Sequence, residues 1–275
     1  MIRRLRRRLG TGLQLYRQLI HTSLAAMLQY RVALLIWLIG QVLGPVIYLV
    51  VWSTVSVASG GSVGGYTSGD FAAYYLALMI VGHLTYTWIM YEYDYRVREG
   101  TLSASLLRPL HPIHGDIADN LGSKAMSAPF ILLVALGLGL IFQPTFAFVP
   151  WAAVAFVPVI GLAFMLRFFV EWTLAQAAFW TTRVSAINQL YFLAMLFFAG
   201  ELAPLSLMPP PVQTIAALLP FRWMISFPIE LLLGKLTPQQ TLTGVAAQLI
   251  WIGMSYALLR VVWRLGLRQY SAVGA

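Results

Sequence analysis

Arg167 and Glu171 stand four residues apart inside an otherwise apolar stretch, Trp151 to Trp180. That spacing puts both on one helical face, where they can pair. A charge at the bilayer centre costs about 2.5–3.5 kcal/mol on insertion scales, and pairing lessens that cost. The two fit either a polar lining or inter-subunit lock, or a structural ion pair between helices. Glu201, with Pro204 close behind it, faces either an outer hairpin or the exit of a pathway, and Glu230 is the third acid near apolar sequence. His111 and His114 form HPIH, a spacing seen in metal sites. Proline bounds them, and His21 and His83 are far off in sequence, so they read as solvated loop residues. Gly60-Gly61-Ser62-Val63-Gly64 matches GxSxG in form only, because a nucleophile elbow needs a strand before it and a helix after. There is no GxxxxGK[ST] phosphate loop and no cysteine, which excludes ATP binding by that device, disulfides and thiolate chemistry. No paired carboxylates or nucleophile–base set stands in any apolar stretch, so the chain reads as a non-enzyme with no catalytic residue and no metal ligand.

What must position these residues follows from composition. Of 275 residues 60% are hydrophobic and 10% charged, with 18 lysines and arginines against 9 acids. A soluble domain carries about 25% charge, and disorder needs low hydrophobicity. A nucleic-acid-binding domain this apolar is implausible, so the +9 net charge has to be read by position. The composition is that of an integral membrane protein.

A spanning helix needs about 20 apolar residues. Six stretches qualify: Val32–Val57, Phe71–Tyr91, Ala125–Phe148, Trp151–Trp180, Ile187–Leu207 and Leu242–Trp263. Arginines 3, 4, 6, 7, 8, 17 and 31, then Arg96, Arg98, Arg108, Lys124, Arg183, Arg260, Arg264 and Arg268 all fall on one side, against Arg222 and Lys235 on the other. The positive-inside rule therefore predicts that both termini are cytoplasmic. Gly40 and Gly44 form GxxxG in the first span, a pattern for close helix packing.

Residues 1–31 read as an arm and an amphipathic helix in the membrane interface. Gln14, Arg17, Gln18 and His21 share one face and Leu13, Tyr16, Ile20, Leu24 and Met27 another. Ser59 to Gly69 reads as a flexible loop. Residues 92–124 form the one sizeable cytoplasmic loop, in which Leu102, Leu106 and Leu110 recur every four residues. This predicts a short helix with an exposed apolar edge, too small to be catalytic but suited to docking a soluble partner. Residues 208–240 hold apolar runs broken by Pro220 and Pro228, which predicts a re-entrant or interfacial hairpin on the outer side. The fold expected is an all-α integral membrane protein: six transmembrane helices in one domain over 1–275, an N-terminal interfacial helix, and an outer hairpin before the last span.

This arrangement resembles the permeases of ABC-2 type exporters. REGTLSASLLRPLHP after span two, FFAGELAPL at Phe197–Leu205, LPF at Leu219–Phe221 and the tail GLRQYSAVGA are similar to segments of that family, the last to a little-characterised branch. The resemblance implies a dimer with a second permease, the same or a related chain, in the bacterial inner membrane, moving an amphipathic or lipid-like substrate outward. It implies separate cytosolic ATPase subunits that carry ATP and magnesium, leaving this chain without a cofactor; membrane lipids are its other partners. It further implies a coupling helix at Thr101–Leu107, with Glu99, Thr101, Leu102, Leu106, Leu107 and Arg108 meeting the ATPase. Spans one, two and five would line the route, and Glu201, Pro204 and Phe221 would form an outer gate. The alternative is a stand-alone secondary transporter or channel, with Glu171, Glu201 and Glu230 as the only acids available to bind an ion.

Overall fold

The computed structural model describes residues 2–29, 31–181 and 183–270, with side chains from 12, 14–28, 36–181 and 183–270. The side chains of Leu13, Arg3, Arg4, Arg6, Arg7, Arg8 and Arg31, and residues 271–275 of the tail, lie outside that description. Helix α1 (Ile2–Gln29) leads into α2 (Arg31–Ala58). A two-residue hairpin, β1 (Ser62–Val63) and β2 (Tyr66–Thr67), follows. Then come α3 (Ser68–Thr85), α4 (Ile89–Arg98), α5 (Leu102–Leu106), α6 (Pro112–Phe142) and α7 (Pro150–Ala175). The chain closes with α8 (Val184–Phe198), three short helices α9 (Pro210–Leu218), α10 (Pro220–Met224) and α11 (Ser226–Leu232), and α12 (Pro238–Gln269).

Among the described residues, five helical segments are long and apolar enough to cross a membrane: 36–58, 68–98 (α3 and α4 together), 112–142, 150–179 and 238–269. Helix α8 has 15 residues, about 22 Å at 1.5 Å per residue, short of the ~30 Å hydrocarbon layer. Its stretch of sequence continues to Leu207, but the helix stops at Phe198 because Gly200 takes a left-handed φ of 84°. Helix α3 sits at the centre, with Phe71 through Leu78 all buried except Leu76, so it has no polar face. Leucines and isoleucines on α2, α6 and α12, such as Ile39, Leu136 and Ile250, stay exposed. On a protein of this composition they form the lipid-facing belt.

Several expected features shift. The predicted flexible loop contains the β1–β2 hairpin, because Gly64 and Gly65 (φ 56° and 84°) supply the two positive-φ positions of a tight hairpin turn. Residues 92–98 belong to α4 and 112–124 to α6, so the connection between them is 99–111 alone. Lys124, counted among the loop charges, is buried in the bundle. Gly40 and Gly44 face open space within this chain: nothing among the described residues lies within 4 Å of where their Cβ atoms would be.

Prolines punctuate the segment before α12. Pro210 and Pro220 open α9 and α10, where a missing N–H costs nothing. Glu230 is tied to Arg222 at 3.2 Å and Ser226 at 2.8 Å. Just before α9, Ser206 Oγ lies 2.9 Å from Tyr66 Oη of β2. At the opposite, arginine-rich face, α1 lies against α6. Its Tyr16 hydroxyl bonds His114 Nδ1 at 2.7 Å, and Gly122 of α6 admits Ser23 closely. Gln14, Arg17, Gln18 and His21 point outward, while Tyr16, Ile20, Leu24 and Met27 are half-buried.

Candidate functional site

The second membrane crossing is broken. Helix α3 ends at Thr85, α4 begins at Ile89, and Tyr86–Trp88 between them are not helical. A break inside a membrane leaves carbonyls at the end of one helix and N–H groups at the start of the next without partners. It also exposes the negative end of one helix dipole beside the positive end of another. The buried charges of the bundle gather here.

Arg167 and Glu171 of α7 are 3% and 0% exposed and pair through Nε and Oε1 at 2.7 Å. Arg167 Nη1 donates to the Thr85 hydroxyl at 3.3 Å, and its guanidinium lies over the Tyr86 ring at 5.4 Å. Lys124 Nζ donates to the Tyr86 carbonyl at 2.5 Å. Both cations thus sit at the C-terminal end of α3. Glu171 takes the other side, accepting from the Thr87 hydroxyl just before α4 and from Tyr191 Oη of α8 at 3.0 Å. Each charge therefore meets the helix end of opposite polarity, and the pair clamps α3, α4, α7 and α8 together.

Two cavities flank the break, of about 620 Å³ and 390 Å³, and share Trp37, His83 and Tyr86 as a partition. His83 bridges Gln41 of α2 (2.9 Å) and Ser127 of α6 (3.1 Å). The larger cavity lies among α1, α2, α4 and α6 and includes Glu92, Asp116 and Asp119 in its wall. Asp116 is engaged by Arg96 at 2.6 Å and by Trp172 Nε1 at 2.9 Å. The smaller one lies along α2 and α3 and reaches Arg167, Phe192 and Glu201.

Sequence spacing anticipated the pairing of Arg167 with Glu171. It did not point to Thr85, Thr87, Tyr191 or Lys124, which complete the cluster. Glu201 opens into the smaller cavity, whereas Pro204 is buried and Phe221 packs on Tyr191 and Phe198, 6.0 and 6.4 Å between ring centres. Neither Pro204 nor Phe221 lines that cavity.

At the arginine-rich face, α5 turns its leucine edge inward. Leu102 is fully buried and Leu106 packs against the core, so the edge expected to be exposed faces the bundle. A five-residue helix cannot hold itself in water and borrows the nearest apolar surface, which is the end of its own bundle. What α5 presents outward is Leu107, 88% exposed, together with Glu99, Thr101, Ala104 and Arg108. Ser103 ties α5 to Tyr270 at 2.8 Å.

His111 precedes α6 as its cap, with Nδ1 accepting the Ile113 N–H at 3.3 Å. Its half-exposed ring lies 4.9 Å from Trp263. Burial, then the neighbouring His114, lower its pKa from 6.5. The folded protein therefore resists protonation there: the cap contributes fully above pH 6.5 and is lost as pH falls through the lowered value. A small drop in melting temperature between pH 7.5 and 5 is expected, shrinking in His111→Asn, which caps without titrating. An unchanged pH response in that variant would place the effect elsewhere.

No curated protein and no solved structure matches the chain. The family model described as ABC-2 family transporter protein matches residues 42–274, from α2 through the end of α12. With five long apolar helices and a shorter sixth among the described residues, the chain belongs to the ABC-2 family of transporter proteins.

Proposed function

We propose that this chain is the membrane-spanning subunit of an exporter powered by separate cytosolic ATPase subunits, which bind the ATP and magnesium. The observation that carries the reading is the family match joined to the position of α5. This helix hangs from the end of α4 on the arginine-rich face, seated by Leu102 and presenting Leu107 and Arg108 outward. A push on that face would pass through α4 to the break at Tyr86–Trp88, where the two cavities meet. In this reading both termini are cytoplasmic, the membrane is a bacterial inner membrane, and a second permease, identical or related, completes the dimer. The two cavities beside the break are sections of an outward route for an amphipathic or lipid-like molecule. The broken second span favours a secondary transporter in principle, but both ions at the break are already engaged by each other and by helix ends.

The test is co-purification of a cytosolic ATPase with the chain when its neighbouring genes are co-expressed, followed by transport-linked ATP hydrolysis. Leu107→Asp with Arg108→Glu is expected to weaken association about tenfold or more, as loss of a central interface anchor does, with an unchanged melting temperature. Leu102→Asp, in contrast, buries a carboxylate and is expected to unfold the α4–α5 end. Full ATPase coupling in the Leu107/Arg108 variant would sink the docking assignment; the absence of any ATPase partner would sink the function.

A further inference from the structure

Glu201 makes no hydrogen bond or ion pair among the described residues, although it lines the 390 Å³ cavity. Its position is not loose. It follows Gly200 in a non-helical stretch whose carbonyls are held by three aromatic donors: Tyr74 to Gly200 at 2.7 Å, and Tyr75 and Trp52 to Leu202 at 2.7 and 2.9 Å. The other charge on the same wall, Arg167, is engaged by Glu171, Thr85 and the Tyr86 ring. His83 is held by Gln41 and Ser127, and Lys124 bonds the Tyr86 carbonyl from the side of the larger cavity. Arg167 lies within electrostatic reach of Glu201 as well as of Glu171, so two carboxylates share one guanidinium, and Glu201 is the member of the three that makes no hydrogen bond or ion pair among the described residues.

The rest of the wall suits a particular occupant. Trp37, Tyr48, Tyr86 and Phe192 contribute aromatic surface, and Leu78 and Met79 apolar surface. Gly40 and Gly44 leave open space on the α2 side. An unpaired carboxylate in apolar surroundings is costly unless a positive group joins it, and aromatic faces attract cations. We propose that this cavity binds an organic cation with an apolar body, an amine or quaternary-ammonium amphiphile, and that Glu201 is the group it pairs with. The inference rests on the transport reading above and names the class of its cargo.

Tetraphenylphosphonium and tetraphenylborate, ions of one shape and opposite charge, are suitable probes. Binding is measured by titration calorimetry on the full chain in lipid nanodiscs. Comparing wild type with variants cancels partition into lipid. Glu201→Gln is expected to weaken tetraphenylphosphonium binding at least tenfold while leaving tetraphenylborate binding unchanged or tighter. Gly44→Leu, which fills the cavity without touching the charge, is expected to weaken tetraphenylphosphonium binding at least tenfold too. Affinity for the cation within twofold of wild type in a folded Glu201→Gln protein would overturn the proposal. So would equal loss of both ions in that variant, which would mean a carboxylate with only a shaping role. If Glu201→Gln does not fold, the Gly44→Leu result decides: unchanged cation binding overturns the site. A second copy covering the cavity would appear as no cation binding by wild type and as a dimer lost in Gly44→Leu, which also overturns it. The measurement needs no ATPase. An ATPase partner without cation binding would therefore remove this inference alone, and cation binding without an ATPase partner would remove only the transport reading.

Discussion

Replacing Arg167 by methionine is expected to destabilise the protein by about 3–5 kcal/mol, the range for leaving one member of a buried ion pair uncompensated. Glu171 would keep its bonds from Thr87 and Tyr191, but it would lose its only ion-pair partner among the described residues, and Lys124, within electrostatic reach, is held at the Tyr86 carbonyl instead. Thr85 and the Tyr86 ring would lose the guanidinium as well. Arg167→Lys keeps the charge but not the planar fork or the stacking, so an intermediate loss is expected. The informative variant is the double one, Arg167→Met with Glu171→Leu, which removes the stranded carboxylate. It should be clearly more stable than Arg167→Met alone, with the shortfall from wild type set by the hydroxyls of Thr87 and Tyr191 that have lost their acceptor. Thermal unfolding of wild type, Arg167→Met, Glu171→Leu and the double variant in one detergent measures the coupling. If the two single losses simply add, the residues act independently and the clamp across the break does not exist.

This cluster also shows where sequence reasoning ends. The i, i+4 spacing of Arg167 and Glu171 is visible because helical periodicity is local. The break that the pair serves is not, because Tyr86-Thr87-Trp88 carries no proline or glycine and the helix is interrupted by partners on α6, α7 and α8 instead. The positive-inside count likewise treats Lys124 as a loop charge, whereas tertiary structure draws it inward to cap a carbonyl. The leucine period of α5 is legible too, but not its direction. A short apolar edge satisfies itself equally on a partner or on its own bundle, and only the packing of Leu102 decides. Gly64-Gly65 is a genuine hairpin signal, yet strands of two residues are too short to show alternation. The five long apolar helices and the prolines before α12 follow from composition and are legible in it; depth, facing and satisfaction of backbone groups are not local properties.

The same physics makes Gly200 the most sensitive single backbone position in the candidate route. Its φ of 84° ends α8 early, and a Cβ there would lie 2.6 Å from the Tyr74 hydroxyl oxygen. Gly200→Ala therefore combines a left-handed alanine, about 1–2 kcal/mol, with expulsion of the hydroxyl that satisfies the Gly200 carbonyl, about 1–3 kcal/mol. A loss of about 3–4 kcal/mol is expected from these two terms together. Tyr74→Phe loses only the second term. Tyr75→Phe should lose less still, because Trp52 continues to donate to the Leu202 carbonyl. The decisive comparison is Gly200→Ala combined with Tyr74→Phe. Removing the hydroxyl clears the space the new methyl needs, so the double variant should be no less stable than Gly200→Ala alone. Chemical unfolding in detergent reads all four. A double variant that loses the full sum would mean that Tyr74 and Gly200 are not in contact. The non-helical crossing beside Glu201 would then have to be held by something other than its aromatic donors.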